Sequence, residues 1–301
     1  MRFPAVSIAR ALAAAAVALA ASTAAAQSNP EARHFLWEVT SMTNRAYLFG
    51  TIHAGKKEWF PLAPAVEAAL ADSQVLVVEA DVTDIEAMSK TTGSMSYTPP
   101  DELSKHVFPG DYERFRRQLD RLGVPEERVR HLRPFAAVSL VMFGEWARLG
   151  YLPQYGIDGY LLQKAKATKK RVVEIEGVET QAKPMDSLTE DEHRRVFAGT
   201  LDALESGLTG DQVEGMVKAW LLGDAFLMLE LARRYNEKVV GAAELEEKFI
   251  WSRHKDMLAK IEGYLNKSKD RHFIAVGSLH LSGNQGLVEM LRSRGYLVRQ
   301  K

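Results

Sequence analysis

Two segments of the chain share one pattern, an apolar run followed by glycine, two further residues and histidine. The first is YLFGTIH, ending in Gly50-x-x-His53, and the second is FIAVGSLH, ending in Gly277-x-x-His280. Glycine permits a sharp exit from a strand and a close backbone approach. Histidine at such a position can bind a metal or act as a general base. One such motif is a weak indication, because histidine often only closes a strand end, but two in matched contexts indicate a shared site.

A third apolar run ends in a carboxylate. The segment VLVVEAD brings Glu79 directly after four apolar residues. His53, His280 and Glu79 would together form a two-histidine, one-carboxylate metal site with open positions for water. A divalent cation acidifies bound water towards neutral pH, and that water can attack a carbonyl group. Asp81, two residues later, is equally compatible with capping the next helix.

The remaining histidines and the missing motifs narrow the choice of chemistry. The other six histidines lie in charged or helical contexts and are expected to be solvated or helix-capping residues: His34, His106, His131, His193, His254 and His272. The chain has no His-Glu-x-x-His, Gly-x-Ser-x-Gly or Walker loop. Standard zincins, α/β-hydrolases and P-loop NTPases are therefore disfavoured.

The elements that must position these residues form two similar units at opposite ends of the chain. The first unit is predicted as a hairpin over 34–40 and 45–53, a helix over 63–73 and a strand over 74–81. The second unit is predicted as a strand over 271–280, a helix over 282–295 capped by Ser282 or Asn284, and a strand over 296–301. Sites in open α/β sheets gather at the carboxyl ends of strands. We therefore predict an α/β fold with a central mixed β-sheet, built from two pseudo-symmetric βαβ-like halves.

A large helical insertion, at about residues 84–267, separates the two units. Amphipathic patterns predict helices over 111–123, 134–150, 157–170, 190–204, 211–224 and 252–265. A short strand is predicted over 171–177, and SMSYTPP (94–100) is predicted to be a loop or lid. Because no Gly/Ser-rich or Pro-rich linker divides the chain, residues 27–301 are expected to form a single domain.

Composition and the N-terminal segment indicate an exported protein. The 301 residues balance 39 basic against 39 acidic side chains, which argues against nucleic-acid binding, and they include no cysteine, which excludes disulfides and cysteine metal sites. Arg2 and Arg10, the apolar run 11–21 and Ala24-x-Ala26 fit a signal peptide over residues 1–26, cleaved after Ala26. The run is too short to span a bilayer. We expect a periplasmic or secreted protein without a stable membrane anchor.

Several motifs together resemble the TraB/GumN family. The opening motif of that family is similar to GTIH (50–53), PL (61–62) and VVEAD (77–81) in this chain. The central motif is similar to GID (156–158), RVVEIE (171–176) and ETQ (179–181). The C-terminal motif is similar to VGSLHL (276–281), GL (286–287) and Leu291 with RGY (294–296). The resemblance covers nearly all of residues 34–301.

The resemblance implies a divalent-metal peptidase site. The family includes the Tiki metalloproteases, for which manganese or cobalt is favoured, and its fold is similar to that of erythromycin-esterase-like and haem-binding ChaN-like proteins. The metal-binding roles fall on His53, His280 and Glu79. Asp158 and Glu176 match acids of the central motif, as ligands or as groups that contact the ligands. Arg253 matches the arginine of an Arg-Asn pair and would bind a carboxylate or oxyanion, with His254 in place of the asparagine.

Three functions are compatible with these observations. The favoured one is a metal-dependent hydrolase acting on a peptide or protein, with Mn²⁺, Co²⁺ or Zn²⁺ held by His53, His280 and Glu79. Glu176 or Asp158 would then orient or deprotonate water, and Arg253 would steady the oxyanion. The second is a non-catalytic peptide-binding or haem-binding protein. The third is an esterase-like enzyme that uses histidine and glutamate without metal.

Overall fold

The computed structural model describes residues 33–301, apart from the side chains of five residues in one helix, namely Ile85, Met88, Lys90, Thr92 and Ser94. The signal peptide predicted over residues 1–26 lies outside the described residues and stays a prediction. No helix within 33–301 is long and apolar enough to cross a lipid bilayer.

A six-stranded mixed sheet forms the centre of the fold, in the order β4-β3-β5-β2-β1-β6. Its strands are β1 (Leu36–Thr40), β2 (Arg45–Thr51), β3 (Val75–Val78), β4 (Arg171–Glu174), β5 (His272–Gly277) and β6 (Leu297–Gln300). The strands β4, β3, β5 and β2 run parallel, whereas β1 runs antiparallel to its neighbours β2 and β6. The predicted α/β class and mixed sheet are confirmed.

Helices make up most of the rest of the described chain. They are α1 (Pro64–Asp72), α2 (Ile85–Met95), α3 (Pro109–Leu122), α4 (Pro134–Arg148), α5 (Ile157–Ala167), α6 (Val178–Asp186), α7 (Glu190–Glu205), α8 (Leu208–Leu221), α9 (Ala225–Asn236), α10 (Ala242–Phe249), α11 (His254–Lys267) and α12 (Leu287–Ser293). The stretch from α2 to α11 is helical apart from β4 and short connections, as the pattern predicts.

The two βαβ-like units are present, but they are interleaved. The unit β2-α1-β3 passes over β5, and the unit β5-α12-β6 passes over β2 and β1. This strand order does not confirm two pseudo-symmetric halves. Its consequence is that β5 pairs with both β2 and β3, which brings the ends of all three strands together.

The central strands are buried because helices cover the sheet. All four residues of β3 are at most 1% exposed, as expected of a parallel strand that is covered on both faces. The main apolar cluster joins the sheet to residues of α1, α5, α8 and α11. A second cluster, built around Phe115 and Phe197, packs α3, α4 and α7 together.

Two helix starts differ from the sequence prediction. The helix α12 is capped at Gly286 rather than at Ser282 or Asn284, because residues 278–281 form a 3₁₀ turn and the chain turns again before Gly286. The helix α2 is capped by Asp84, whose Oδ1 accepts from Ala87 N at 3.0 Å, so the alternative cap at Asp81 is wrong.

The predicted loop at 94–100 lies against the helical part of the chain. Ser96 forms an isolated bridge with Leu132, and the Tyr97 ring stacks on His106 with centroids 3.9 Å apart. Among the described residues, none from this segment lines the cavity that His53, Glu79 and His280 share.

The loop after β2 is fixed against the start of α5. Ile157 N donates to Ile52 O at 3.0 Å, and Gly55 exchanges two backbone hydrogen bonds with Leu152. A Cβ on Gly156 would lie 2.5 Å from the carbonyl oxygen of His53. Glycine at 156 therefore permits the close approach that brings α5 to His53.

We expect Gly156→Ala to lower the free energy of unfolding by about 1–3 kcal/mol, because the added methyl overlaps the His53 backbone. The matched control is Gly159→Ala, since a Cβ there meets nothing within 4 Å, and alanine in a helix is favoured by about 0.5–1 kcal/mol. Urea unfolding measures both. Equal stability of the two variants would contradict the packing described.

A capping box starts α7. Glu192 N donates to Thr189 Oγ1 at 3.2 Å, and Thr189 N donates to Glu192 Oε2 at 2.8 Å. Lys248 Nζ donates to Glu192 Oε1 at 2.7 Å. The hydrogen bonds from Lys248 and from the Thr189 backbone lower the pKa of Glu192 from 4.5 to about 2.

This shift predicts a pH-dependent contribution to stability. Because the pKa of Glu192 is lower in the folded chain, its stabilising effect is complete above about pH 4.5 and is lost as the pH falls towards 2. We expect Glu192→Gln to cost about 1 kcal/mol at pH 7 and progressively less below pH 4.5. Chemical unfolding across pH measures the difference, with the exposed Glu58→Gln as control. A cost that stays constant down to pH 2 would be the opposite result.

Candidate functional site

The ends of three adjacent parallel strands bring the predicted residues to one cavity. Thr51 of β2 pairs with Gly277 of β5, and Val78 of β3 pairs with Ala275. His53 follows β2, Glu79 directly follows β3, and His280 lies in the 3₁₀ turn Ser278–Leu281 after β5. All three side chains line a cavity of about 360 Å³, which we call the central cavity.

Glu79 connects the end of β3 to the end of β5. Its Oε1 accepts from Gly277 N at 2.6 Å, and its Oε2 accepts from Gln181 Nε2 of α6 at the same distance. The Nε2 atom of His280 lies 3.6 Å from Glu79 Oε1. Glu79 as a whole residue is only 9% exposed, so its carboxylate is held in place within the protein.

His53 is oriented by Asp158 in the first turn of α5. The Nδ1 atom of His53 donates to Asp158 Oδ2 at 2.9 Å, while the His53 side chain remains 63% exposed where it lines the cavity. This hydrogen bond, with the negative charge of Asp158, raises the pKa of His53 to about 9. Burial alone would raise the pKa of Asp158, but the hydrogen bond and charge of His53 outweigh it and lower that pKa.

His280 is oriented by His254, a residue whose role the sequence analysis missed. His254 Nδ1 lies 2.6 Å from Gln285 O, which can only accept, so Nδ1 carries the proton. Burial lowers the pKa of His254 and that of His280, so both rings are neutral at pH 7. His254 Nε2 therefore accepts from His280 Nδ1 at 2.9 Å. This pattern leaves a lone pair on His280 Nε2.

Three of the six histidines expected to be solvated or capping are instead buried. His193, His254 and His272 are each 3% exposed. His272 stacks on Tyr264, with ring centroids 4.5 Å apart. The expectation is wrong for these three because helix packing, which the local sequence does not report, covers them. The signal for His254 was its position after Arg253, where the resembled family has an asparagine.

The side chain of Arg253 contacts Glu176 and His280 and lies close to Glu79. Its Nη1 donates to Glu176 Oε2 at 2.9 Å, and its Nη2 donates to His280 Nε2 at 2.6 Å and lies 3.6 Å from Glu79 Oε2. The Nε atom is buried and has no hydrogen-bond partner among the described residues. Burial raises the pKa of Glu176 to about 7, although Arg253 opposes this shift.

The types of the donor atoms suit a divalent cation, but Arg253 already donates to the lone pair of His280 Nε2 that such an ion would need. The Nδ1 atom of each proposed ligand histidine is bonded within the chain. His280 Nε2 has a lone pair, whereas His53, with a pKa of about 9, must lose a proton from Nε2 before that atom can bind an ion. Imidazole with carboxylate suits Zn²⁺, Mn²⁺ or Co²⁺. Within residues 33–301, no three His, Asp or Glu side chains are arranged as a metal site. The donor types therefore suit a cation, but their arrangement in this structure does not, because Arg253 Nη2 donates to His280 Nε2.

Similar proteins include one bacterial and two animal relatives. The chain is 25% identical to YbaP of Escherichia coli K12 over 266 residues, which is 86% of this chain and 94% of YbaP. It is 26% identical to metalloprotease TIKI2 of Xenopus tropicalis over 319 residues, covering 90% of this chain and 60% of that protein. It is 24% identical to metalloprotease TIKI1 of Homo sapiens over 315 residues, covering 89% and 62%. The chain therefore spans about three fifths of these TIKI relatives.

No solved structure matches the chain. A family model, that of the TraB/PrgY/gumN family, matches residues 35–300. The matched region contains all six strands described above and every side chain placed at the central cavity. The chain belongs to the TraB/PrgY/gumN family.

Proposed function

We propose that the chain is an exported metal-dependent hydrolase that cleaves peptides or proteins, with His53, His280 and Glu79 holding Mn²⁺, Co²⁺ or Zn²⁺. The observation that carries this proposal is the convergence of two imidazoles, each oriented through Nδ1, with a buried carboxylate at three adjacent strand ends. Relatives named metalloproteases at about 25% identity support it. The support for export is the signal-peptide pattern of residues 1–26.

The residues of the chain supply proton transfer and charge stabilisation. A bound divalent cation would lower the pKa of water and polarise a substrate carbonyl. Glu176, whose pKa burial raises to about 7, would accept a proton from water at neutral pH and return it to the leaving amine. In this structure it reaches the residues of the central cavity through Arg253 and does not itself line that cavity. The guanidinium of Arg253 donates to the carbonyl oxygen as negative charge develops there. Asp158 and His254 keep the two imidazoles in the required orientation.

We expect the purified chain to bind one equivalent of Mn²⁺, Co²⁺ or Zn²⁺ and to cleave peptides from a mixed library. His53→Ala combined with His280→Ala should abolish both properties, because the double variant lacks both nitrogen ligands. Equilibrium dialysis measures binding, and mass spectrometry measures cleavage.

The control for that double variant is His131→Ala, which removes an imidazole bonded to Asp101 O outside the central cavity. It should bind metal as the unmodified chain does. Stoichiometric binding that persists in the double variant would refute the ligand assignment.

We also expect Arg253→Gln to bind the cation at least about tenfold more tightly. A unit positive charge about 4 Å from a cation costs several kcal/mol at the effective dielectric of a protein surface, and the variant removes that charge. Turnover should fall, since the oxyanion loses its donor. Titration calorimetry measures the affinity, with Arg294→Gln, at an exposed pair with Glu262, as control. Unchanged or weaker affinity would show that Arg253 does not compete with the ion.

A metal-free hydrolase is the second candidate, and one observation favours it. Arg253 already contacts Glu176 and His280 and lies close to Glu79, so the network has its own positive charge. Peptide or ester hydrolysis that resists a strong chelator would support this function over the metal-dependent one. Ligand binding without product, whichever metal is added, would instead indicate a non-catalytic peptide-binding or haem-binding protein.

A further inference from the structure

A second cavity opens beside His53, away from Glu79 and Arg253. It has a volume of about 430 Å³ and is lined by residues of α4, α7, α8, α9 and α10. His53, Trp146, Met216 and Phe249 line both this cavity and the central cavity. Ile250 and Leu279 are also shared, so the two cavities are neighbours and His53 lies on their common wall. We call the second one the side pocket.

The walls of the side pocket are mainly apolar, and they include Phe135, Val138, Met142, Val196, Val239 and Leu245. Several polar groups in or beside the wall have partners within the chain. Ser139 Oγ donates to Phe135 O at 2.7 Å, Trp251 Nε1 donates to Glu246 Oε1 at 2.8 Å, and Asn236 donates to the other oxygen of Glu246. A charged group that entered the apolar part of the pocket, away from His53, would lose its hydration without gaining a partner. An apolar group would gain from leaving water.

The volume and the apolar lining of the side pocket suit a large apolar group. A cavity of roughly 150 Å³ lined by apolar side chains is enough to bind benzene, and the side pocket has about 430 Å³. Met142 and Met216 in its wall have flexible, polarisable side chains that adapt to different apolar shapes. Val240, which is 60% exposed, also lines the pocket and marks an opening to solvent.

We propose that the side pocket binds a large apolar side chain, aromatic or long aliphatic, of a peptide substrate and so places the neighbouring peptide bond beside His53. The inference rests on the proposed hydrolase function for what happens to that bond. The binding preference follows from the pocket itself and does not require turnover.

Peptide binding tests this proposal without relying on cleavage. Labelled peptides of the form acetyl-Ala-Ala-X-Ala-Ala-amide, with X as Phe, Leu, Ala or Asp, are titrated with the purified chain and followed by fluorescence anisotropy. We expect the Phe and Leu peptides to bind at least about tenfold more tightly than the Ala and Asp peptides. Equal affinity across the four peptides would overturn the proposal.

A pair of adjacent alanines provides matched variants. Ala242 lines the side pocket, whereas Ala243 is exposed and does not line it. Ala242→Trp should fill the pocket and abolish the preference for Phe and Leu, and Ala243→Trp should retain it. A preference that survives Ala242→Trp in a folded protein would contradict the assignment.

A second variant covers the case in which Ala242→Trp does not fold. Met142→Ala enlarges the pocket without adding bulk, so it should shift the preference from the Leu peptide towards a Trp peptide. An unchanged order of affinities in Met142→Ala would also contradict the proposal that the side pocket binds the apolar side chain. Thermal unfolding establishes that each variant is folded.

Two further experiments distinguish binding of a peptide side chain from binding of a free acyl chain, and the pocket proposal from the hydrolase proposal. Octanoyl-glycine amide tests a free acyl chain as the occupant, and binding of this compound without binding of the Phe peptide would overturn the peptide assignment. Cleavage assays with Mn²⁺, Co²⁺ and Zn²⁺ separate the two proposals. Selective binding without product contradicts the hydrolase but supports the pocket, whereas cleavage at equal rates for Phe and Asp peptides supports the hydrolase and contradicts the pocket.

Discussion

The hydrogen bond from Gly277 N to Glu79 Oε1 is the contact on which the arrangement of the site depends. At 2.6 Å, it joins the end of β3 to the end of β5, and β5 in turn pairs with β2. Because all three strands are parallel, their carboxyl ends lie at one edge of the sheet, where ligand sites in open α/β sheets form. The interleaved strand order places residues from both ends of the chain there.

The charges of the site are balanced by the protein itself. Two buried acids, Glu79 and Glu176, share the guanidinium of Arg253, and a neutral His280 accepts from the same group. Burying any of these polar groups without its partners would lower the free energy of unfolding. In the proposed function, a metal ion and Arg253 would need the same atoms of His280 and Glu79, so binding of the ion would require Arg253 to move.

The sequence predicts the strand-end residues well because their signals are local. An apolar run ending in Gly-x-x-His or in Glu79 reveals both a buried strand and the side chain that follows it, and the structure brings His53, His280 and Glu79 to one cavity. Asp158 is identified by resemblance, but its contact with His53 depends on how closely Gly156 lets α5 approach. That approach is a tertiary contact and leaves no periodic pattern.

Other features could not be predicted for related physical reasons. The burial of His254 results from its contacts with the turn at 278–281 and with Gln285 O, about 30 residues away in sequence. The start of α12 depends on two successive turns after β5, so the polar residues Ser282 and Asn284 were misleading caps. The apolar side pocket is formed by five helices, and no single helix of the five indicates a cavity on its own.

The most direct test of the account is anomalous diffraction from crystals of the chain grown with Mn²⁺ or Zn²⁺. The account predicts one anomalous peak at about 2.0–2.2 Å from Nε2 of both His53 and His280 and from a Glu79 oxygen, with the Arg253 guanidinium moved away from His280. A peak elsewhere on the chain, or an Arg253 that still donates to His280 Nε2 in metal-containing crystals, would contradict it.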